Sequence, residues 1–477
     1  MVLLAIPAFV AAEAAAFPGS WVLLELDSAL PEPRLPRPDE TERIEAARSR
    51  FIPAAEIVVF DFLLNRFDRR YFGCCDFDSN RASIRHNLHS SWVVDRDPFL
   101  VNQLGHPYQG SMYHGFARAS GLGYWESLGY TFAGSAFWEI AGETTRPSRN
   151  DQVSTGIGGS FVGEALFRMA HLALEHESLG AWREIAAAVV SPPVGFNRAA
   201  FGDRFRGVFA SHDPVYFTRL QLGFSGSAQN SPGVSTARLR RDEALADFLI
   251  DYGLPGKPDY TYERPFDLFT FQATASSANG FENAMTRGLL AGRAYAVGER
   301  YSGVWGLYGS YDYIAPQTFR VASTALSLGT TGQAWLTRSI ALQASLLGGL
   351  GYAAVASTFS SVENDFHYGM APQVLAAVRA IFGQQAALDV TAREYYVSRV
   401  AAPERGGHEN IVRVDAALTW RVSGPHGLSI KYLGNRRDAS HPGIGAVTQR
   451  RGTFGIFYTL IGHDRFGAVP SQSLTRE

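Results

Sequence analysis

Cysteine is nearly absent from this chain of 477 residues: Cys74 and Cys75 are the only two, and they are adjacent. A bond between neighbouring thiols strains the backbone and closes no loop, so a disulfide framework is excluded and two plain thiols are expected. No run of 18 apolar residues occurs, which excludes a helix crossing a membrane. Lysine is scarce and the formal net charge is −2, so there is no basic stripe to neutralise phosphates and no nucleic-acid partner is expected. The familiar catalytic signatures are missing as well. There is no G-x-S-x-G elbow, no H-E-x-x-H and no Glu-x-x-His pair of the di-iron type. Gly156-Ile157-Gly158-Gly159 lacks the Lys and Ser or Thr of a phosphate-binding loop. No cofactor is implied.

What the sequence does have is alternation. Val412, Val414, Ala416, Leu418, Trp420 and Val422 share one parity, and Arg413, Asp415, Thr419 and Arg421 share the other. A strand sends successive side chains to opposite faces, so one face here is greasy and the other charged. Thr453 to Ile461 repeats the pattern with Phe454, Ile456, Tyr458 and Leu460, and Tyr216 to Ser225 repeats it with Leu220, Leu222 and Phe224. A soluble sandwich also alternates. The connections separate the two readings. About twelve strands are expected, near 214–226, 244–253, 266–277, 284–297, 301–313, 317–329, 333–352, 366–381, 386–399, 409–422, 427–434 and 451–462. Tight turns at 298–299, 330–332, 383–385 and 423–426 fall at every second connection. Longer polar stretches at 227–242, 354–365, 401–408 and 435–450 lie between them. Short periplasmic turns and longer outer loops are the habit of bacterial outer-membrane barrels. Two connections misfit: the one before Pro265 is long, and the one from Tyr313 to Pro316 is short. The expected fold class is α+β, a transmembrane antiparallel β-barrel of about twelve strands preceded by a small helical domain. Its lumen should be lined by Arg219, Asp389, Arg393, Arg413, Asp415 and Arg421.

The amino-terminal part divides by composition. Val2 to Val10 are apolar and Ala11 to Ala16 offer small residues for cleavage, which reads as a signal peptide over 1–16 without the usual basic start. A Pro-rich leader follows over 17–38, then a helical domain over 39–205, with the barrel over 213–466. Helices are expected at 42–48, 54–66, from Asp97-Pro98 to a break at Pro107, 124–143, 149–177 and 182–190, the last ended by Pro192 and Pro193. The second has an apolar face of Ile57, Val58, Phe60, Leu63 and Leu64 that needs a partner surface. Gly156, Gly159 and Gly163 recur at helical spacing, so close packing is expected against the helix carrying Gly134 and Ser135.

The stretch from Asp97 to Arg168, "DPFLVNQLGHPYQGSMYHGFARASGLGYWESLGYTFAGSAFWEIAGETTRPSRNDQVSTGIGGSFVGEALFR", resembles the bacterial domain-of-unknown-function family 3943, more weakly over 54–92 and 192–198. The resemblance, over about 54–205, implies an exported protein with a carboxyl-terminal outer-membrane-type barrel. It implies no activity.

One constellation in this stretch could carry chemistry. Glu139 and Glu143 lie one helical turn apart, and like charges at that spacing call for a metal ion, an Arg or a shared proton. His106, Glu139, Glu143 and Glu164 are the catalytic candidates, and His106, Glu139, Glu143 and Asp151 the metal candidates. A structural reading stands beside this one. Ser148 and Asp151 form a capping box, Glu143 pairs with Arg146 or Arg149, and Glu139 pairs with Arg118. Two functions follow. One is a barrel of the Gram-negative envelope, in small-solute passage or envelope organisation, with outer-membrane lipid and a small polar solute as partners. Its helical domain would lie on the periplasmic side or in the lumen. The other is an envelope enzyme acting on lipid or lipid-linked sugar. Oligomeric state is not specified by the sequence.

Overall fold

The computed structural model describes residues 47–71, 75–95, 97–230, 237–316, 318–357, 366–399, 407–441 and 445–470. The expected signal peptide and leader, most of the helix expected at 42–48, Cys74, and parts of the longer loops lie outside the described residues. The chain forms two compact units: residues 1–95 with 104–213, and residues 96–103 with 214–477.

The second unit is a closed antiparallel barrel of twelve strands, in which every strand pairs with its sequence neighbours and β1 pairs with β12. The strands are β1 Tyr216–Asn230, β2 Ala237–Tyr252, β3 Phe269–Ser276, β4 Asn283–Val297, β5 Tyr301–Ile314 and β6 Phe319–Trp335. They continue as β7 Ile340–Ser357, β8 Phe366–Phe382, β9 Ala386–Arg399, β10 His408–Ser423, β11 His426–His441 and β12 Gly445–Ile461. Closure leaves no unpaired edge, the condition for strands to cross a hydrocarbon layer. The outward parity is apolar. Paired residues carry a row from Leu388 to Leu418, Ile430, Ile456 and Phe224, all exposed. At three of the tight turns Gly298, Gly383 and Gly424 take positive φ, which an L side chain resists.

Strand lengths depart from the sequence reading in one direction. The turn expected at 330–332 is the interior of β6, and the chain reverses instead at 336–339. The stretches 227–242 and 435–450 are largely strand, leaving 231–236 and 442–444 between elements. Apolar alternation stops at Tyr432 and Phe454 because both faces are polar beyond them, yet the ladder continues. On the outer face there, Arg436 and Thr448 bond Asp438 at 2.6 and 2.7 Å.

Residues 97–103 belong to this unit and cover the outer face of β5 to β8 at the end opposite the tight turns. Phe99, fully buried, packs on Tyr313 and Phe366 with ring centroids 6.1 and 5.5 Å away. Gln103 Nε2 donates to Tyr368 Oη at 2.9 Å, and Tyr311 donates to the Gln103 carbonyl. Tyr311 and Tyr313 share the parity of the exposed Trp305, which places them on the outer surface.

Among the described residues the first unit contains seven helices of nine residues or more: α1 Phe51–Tyr71, α2 Arg81–His89, α3 His106–Ala119, α4 Tyr124–Phe137, α5 Gly159–Glu175, α6 Trp182–Val190 and α7 Pro192–Phe201. The helix expected from Asp97-Pro98 begins at Phe99, and the interruption expected at Pro107 takes the form of a π-helical turn, Val101–Gly105, with Pro107 in the first turn of α3 that follows it. Pro192 and Pro193 do more than end α6, since they open α7. The glycines of the fifth helix pack mainly on α3, not on α4. A Cβ on Gly159 would fall 2.6 Å from Gly110 Cα, and one on Gly163 would fall 2.8 Å from His114 Cβ. Only Gly156 meets α4, through Phe132.

Candidate functional site

The chemistry-bearing groups of the helical unit gather in two buried sets. The first forms because α1 turns its polar residues inward: Glu56, Asp61, Asn65 and Asp68 recur on one side of the helix and are buried. Asn65 Nδ2 donates to the carbonyls of Phe77 and Gly142 at 2.8 and 2.7 Å, tying α1 to the backbone beside Glu143. Tyr113 of α3 donates to Asp61, and Gln109 Nε2 lies 2.5 Å from Tyr113 Oη.

His106, Glu139, Glu143 and Asp151 lie in this same unit, and all four are buried. Three π-helical segments adjoin them: Val101–Gly105 ends at His106, Trp138–Gly142 carries Glu139, and Gln152–Gly158 follows Asp151. Such bulges re-aim side chains, and they are frequent at functional sites. His106 Nε2 stands 3.9 Å from Asp151 Oδ1. Glu139 Oε2 accepts from the Ser148 amide at 2.8 Å. Glu143 accepts from Trp138 Nε1 at 2.7 Å and from Thr145 Oγ1 at 2.9 Å, where Arg146 or Arg149 was expected. Ser148 Oγ accepts from the Asp151 amide at 3.2 Å, as a cap does. The donor set of one imidazole and several carboxylates could take a divalent cation, or it can store protons.

Proton storage has electrostatic support. Burial pushes Glu139 and Asp151 well above the usual carboxylate range, with the neighbouring acids adding to it. Burial likewise lifts Asp61 to about 8 against the hydrogen bonds of Tyr113 and Gln109, Glu56 to about 7 and Asp68 to about 6. The folded Asp61 therefore keeps, up to about pH 8, a proton that the unfolded chain releases near 3.8. Its stabilising contribution is complete below the unfolded value and is lost as pH rises through the folded one. The thermal midpoint of the helical signal should accordingly fall between pH 5 and pH 8, and Asp61→Asn should flatten that slope. A wild-type midpoint that stays level across this window would contradict the assignment.

The second set surrounds Glu164, which is fully buried. Arg118 Nε donates to it at 2.7 Å, Arg168 Nε at 2.9 Å, and His114 Nε2 lies at 3.1 Å. Burial alone would raise this carboxyl; Arg118, His114 and Arg168 hold it well below its ordinary range. Arg118 thus takes Glu164, where pairing with Glu139 was expected. Glu164 keeps company with arginines and not with His106. His114, Arg168, Asp61 and Asp68 were not singled out from the sequence, although acids at 56, 61 and 68 on a helix with an apolar face were a signal.

The barrel lumen is the other polar interior. Arg219 pairs with Asp389 at 3.1 Å and approaches Asp247 at 3.6 Å; Arg379 bridges Asp389 and Asp251 at 2.6 and 2.9 Å. Lys431 joins Asp247 and Asp415 at 3.0 and 3.2 Å. A cavity of about 100 Å³ remains among them, lined by Arg219, Arg287, Arg393, Asp251, Asp389 and Asp415. Arg413 lies apart from it, fully buried and bonded to Asn283 and Asn435. Arg421 clamps the tight-turn end through the carbonyls of Gln384, Gly424 and His463.

An apolar cluster lies toward each end of the lumen. At the tight-turn end the tail after β12 folds inward, burying Phe466, Ala468 and Val469 against Phe217, Trp335 and Ile381. Gln333 and Trp335 donate to the Val469 carbonyl at 2.7 and 2.9 Å. Toward the other end, Phe319, Val321, Val355, Tyr395, Val397 and Ile411 form a second apolar cluster.

Residues 91–193 match the family model described as Domain of unknown function (DUF3943), a shorter span than the resemblance drawn from about 54 to 205. Among solved structures, the NanC porin is 6% identical over 50% of this chain and 98% of its own, with a TM-score of 0.26. The translocator domain of autotransporter NalP from Neisseria meningitidis is 12% identical over 52% and 88%, with a TM-score of 0.23. The outer membrane channel DcaP of Acinetobacter baumannii is 8% identical over 51% and 97%, with a TM-score of 0.22. At such scores the barrel rests on the strand pairing given above. No curated protein matches the chain.

Proposed function

We propose that this chain is an outer-membrane β-barrel protein of envelope organisation, whose barrel anchors the helical unit in the envelope and is closed to solutes. The narrowed lumen carries this reading. An apolar plug of the chain's own tail, a central ion-pair network and a second apolar cluster narrow the interior around a cavity of about 100 Å³. A passage role would require both plugs to move. The outward apolar belt supports residence in lipid. Lipid-directed chemistry in the helical unit has the buried His106, Glu139, Glu143 and Asp151 set in its favour, without Glu164.

In planar bilayers the full chain is expected to show no steady conductance. A chain ending at Asp464 should stay silent too, because the cluster at the far end remains. Stepwise single-channel currents from the intact protein would overturn the anchor and favour passage.

A further inference from the structure

In a water-soluble helix the apolar stripe faces the core and the polar stripe faces water. α1 is inverted. Phe51, Phe62 and Tyr71 are 88%, 58% and 69% exposed, whereas Asp61 is 2% exposed. Ala54, Ala55, Val58, Val59, Leu63 and Phe67 complete the outer face, and no carboxylate lies on it, since Glu56, Asp61 and Asp68 all point inward. α4, which packs beside α1 where Gly134 meets Ile57, repeats the inversion. Trp125, Gly129, Ala133 and Phe137 follow one another at a spacing of four on its exposed side, and Ser127, Thr131 and Ser135 are buried. Between Glu126 at the start of α4 and the arginines at the end of α1, the two adjacent helices thus present an apolar sheet.

The ends of α1 indicate what covers it. Arg48 and Arg50 precede the helix and share Glu126 of α4, and Arg66, Arg69 and Arg70 occupy its last turns, Arg69 paired with Asp78 at 2.8 Å and Arg66 and Arg70 lying over the rings of Phe62 and Tyr71 at 5.4 and 6.0 Å, so each end keeps a basic excess. Greasy residues flanked by arginines at both ends match a bilayer, whose acyl chains accept the rings while its phosphates meet the guanidinium groups. Among the described residues no helix is long and apolar enough to cross a membrane. The helix, about 31 Å long at 1.5 Å per residue, would lie along the surface. We infer that the exposed face of α1 and α4 is a lipid-docking surface of the helical unit, seated in the headgroup and upper acyl region of an anionic bilayer. This goes beyond the anchor reading, which concerns the barrel alone.

The test uses the full chain carrying Cys74→Ser and Cys75→Ser, reconstituted in phosphatidylethanolamine–phosphatidylglycerol vesicles. Nitroxides are placed one at a time through Val59→Cys, Phe62→Cys and Leu63→Cys, with Leu418→Cys on the barrel as a lipid reference and Glu299→Cys as a turn reference. Collision with oxygen should exceed collision with a water-soluble nickel chelate severalfold at 59, 62 and 63, as at 418. Dominant nickel collision at the three helix sites would overturn the proposal. So would protection from both quenchers, which would mean that residues 1–46 or a second copy of the chain covers the face. Water-like behaviour at Leu418→Cys would instead count against the barrel in lipid, so the two failures are distinguishable. Phe62→Glu combined with Leu63→Glu should leave the helical fold intact and raise nickel access at 59 severalfold; unchanged access there would also count against lipid contact.

Discussion

Glu164→Ala should destabilise the helical unit by about 3–5 kcal/mol, the cost of leaving buried charge without its partner. The wild-type carboxylate is fully buried and accepts from Arg118 at 2.7 Å and Arg168 at 2.9 Å. Removing it takes from two neighbouring guanidinium groups the carboxylate they share. Neither swings freely to water: Arg118 is also bonded to the Leu122 carbonyl at 2.6 Å and sits over the Phe167 ring at 4.4 Å, and the buried Arg168 sits over the Phe209 ring at 5.0 Å. Urea unfolding in micelles, followed at the helical band of circular dichroism, should show the helical transition moving to lower urea while the strand signal stays in place. Glu164→Leu with Arg118→Met and Arg168→Met should recover much of the loss, since a packed apolar triad avoids the desolvation penalty. A loss below about 1 kcal/mol for Glu164→Ala, the scale of a solvated pair, would show that the set is open to water.

The barrel was legible because its outer face obeys one rule. Wherever Leu418, Ile430 or Ile456 must meet lipid, the alternate residue is free to be polar, and the period of two survives. The same rule placed Arg219, Arg413 and Asp415 on the inner parity. It failed at strand ends, where Arg436 and Asp438 face outward among polar groups and pattern no longer separates strand from loop. It also missed the tail, because Phe466 and Val469 plug the lumen through burial and backbone carbonyls, with no repeat for a pattern to find. In the helical unit, Ser148 was readable as helix-start chemistry, while Pro107 was read only as an interruption. The face of α1 was read as needing a partner surface, with no sign of which: Ile57 is buried within the unit, Val58 and Leu63 are exposed, and the acids are inside. Periodicity gives the axis of an amphipathic helix and not which side is in. That choice is made by partners such as Tyr113 and the Gly142 carbonyl, which are distant in sequence.

Leu418→Arg should cost the barrel about 2–4 kcal/mol, the range for a basic side chain on a lipid face near the bilayer midplane. Leu418 is exposed, pairs with Leu388 and Ile430, and continues into Ile456 and Phe224, so its row lies within the apolar belt. Trp420, two residues nearer the tight turn, marks the way to the interface, where the same substitution at Val422 should cost less as the guanidinium snorkels. The inner parity gives a second contrast. Thr419 is fully buried and shares a hydroxyl chain with Ser429 and Thr459 at 2.8 and 2.5 Å, so Thr419→Arg should also be costly, by overpacking and not by lipid. The distinction is experimental. In vesicles of thinner bilayers the penalty at Leu418 should shrink, because the midplane lies closer to water, while that at Thr419 should not change. Urea midpoints in long- and short-chain phosphatidylcholine would measure both; a Leu418→Arg penalty independent of chain length would mean that this face does not meet hydrocarbon.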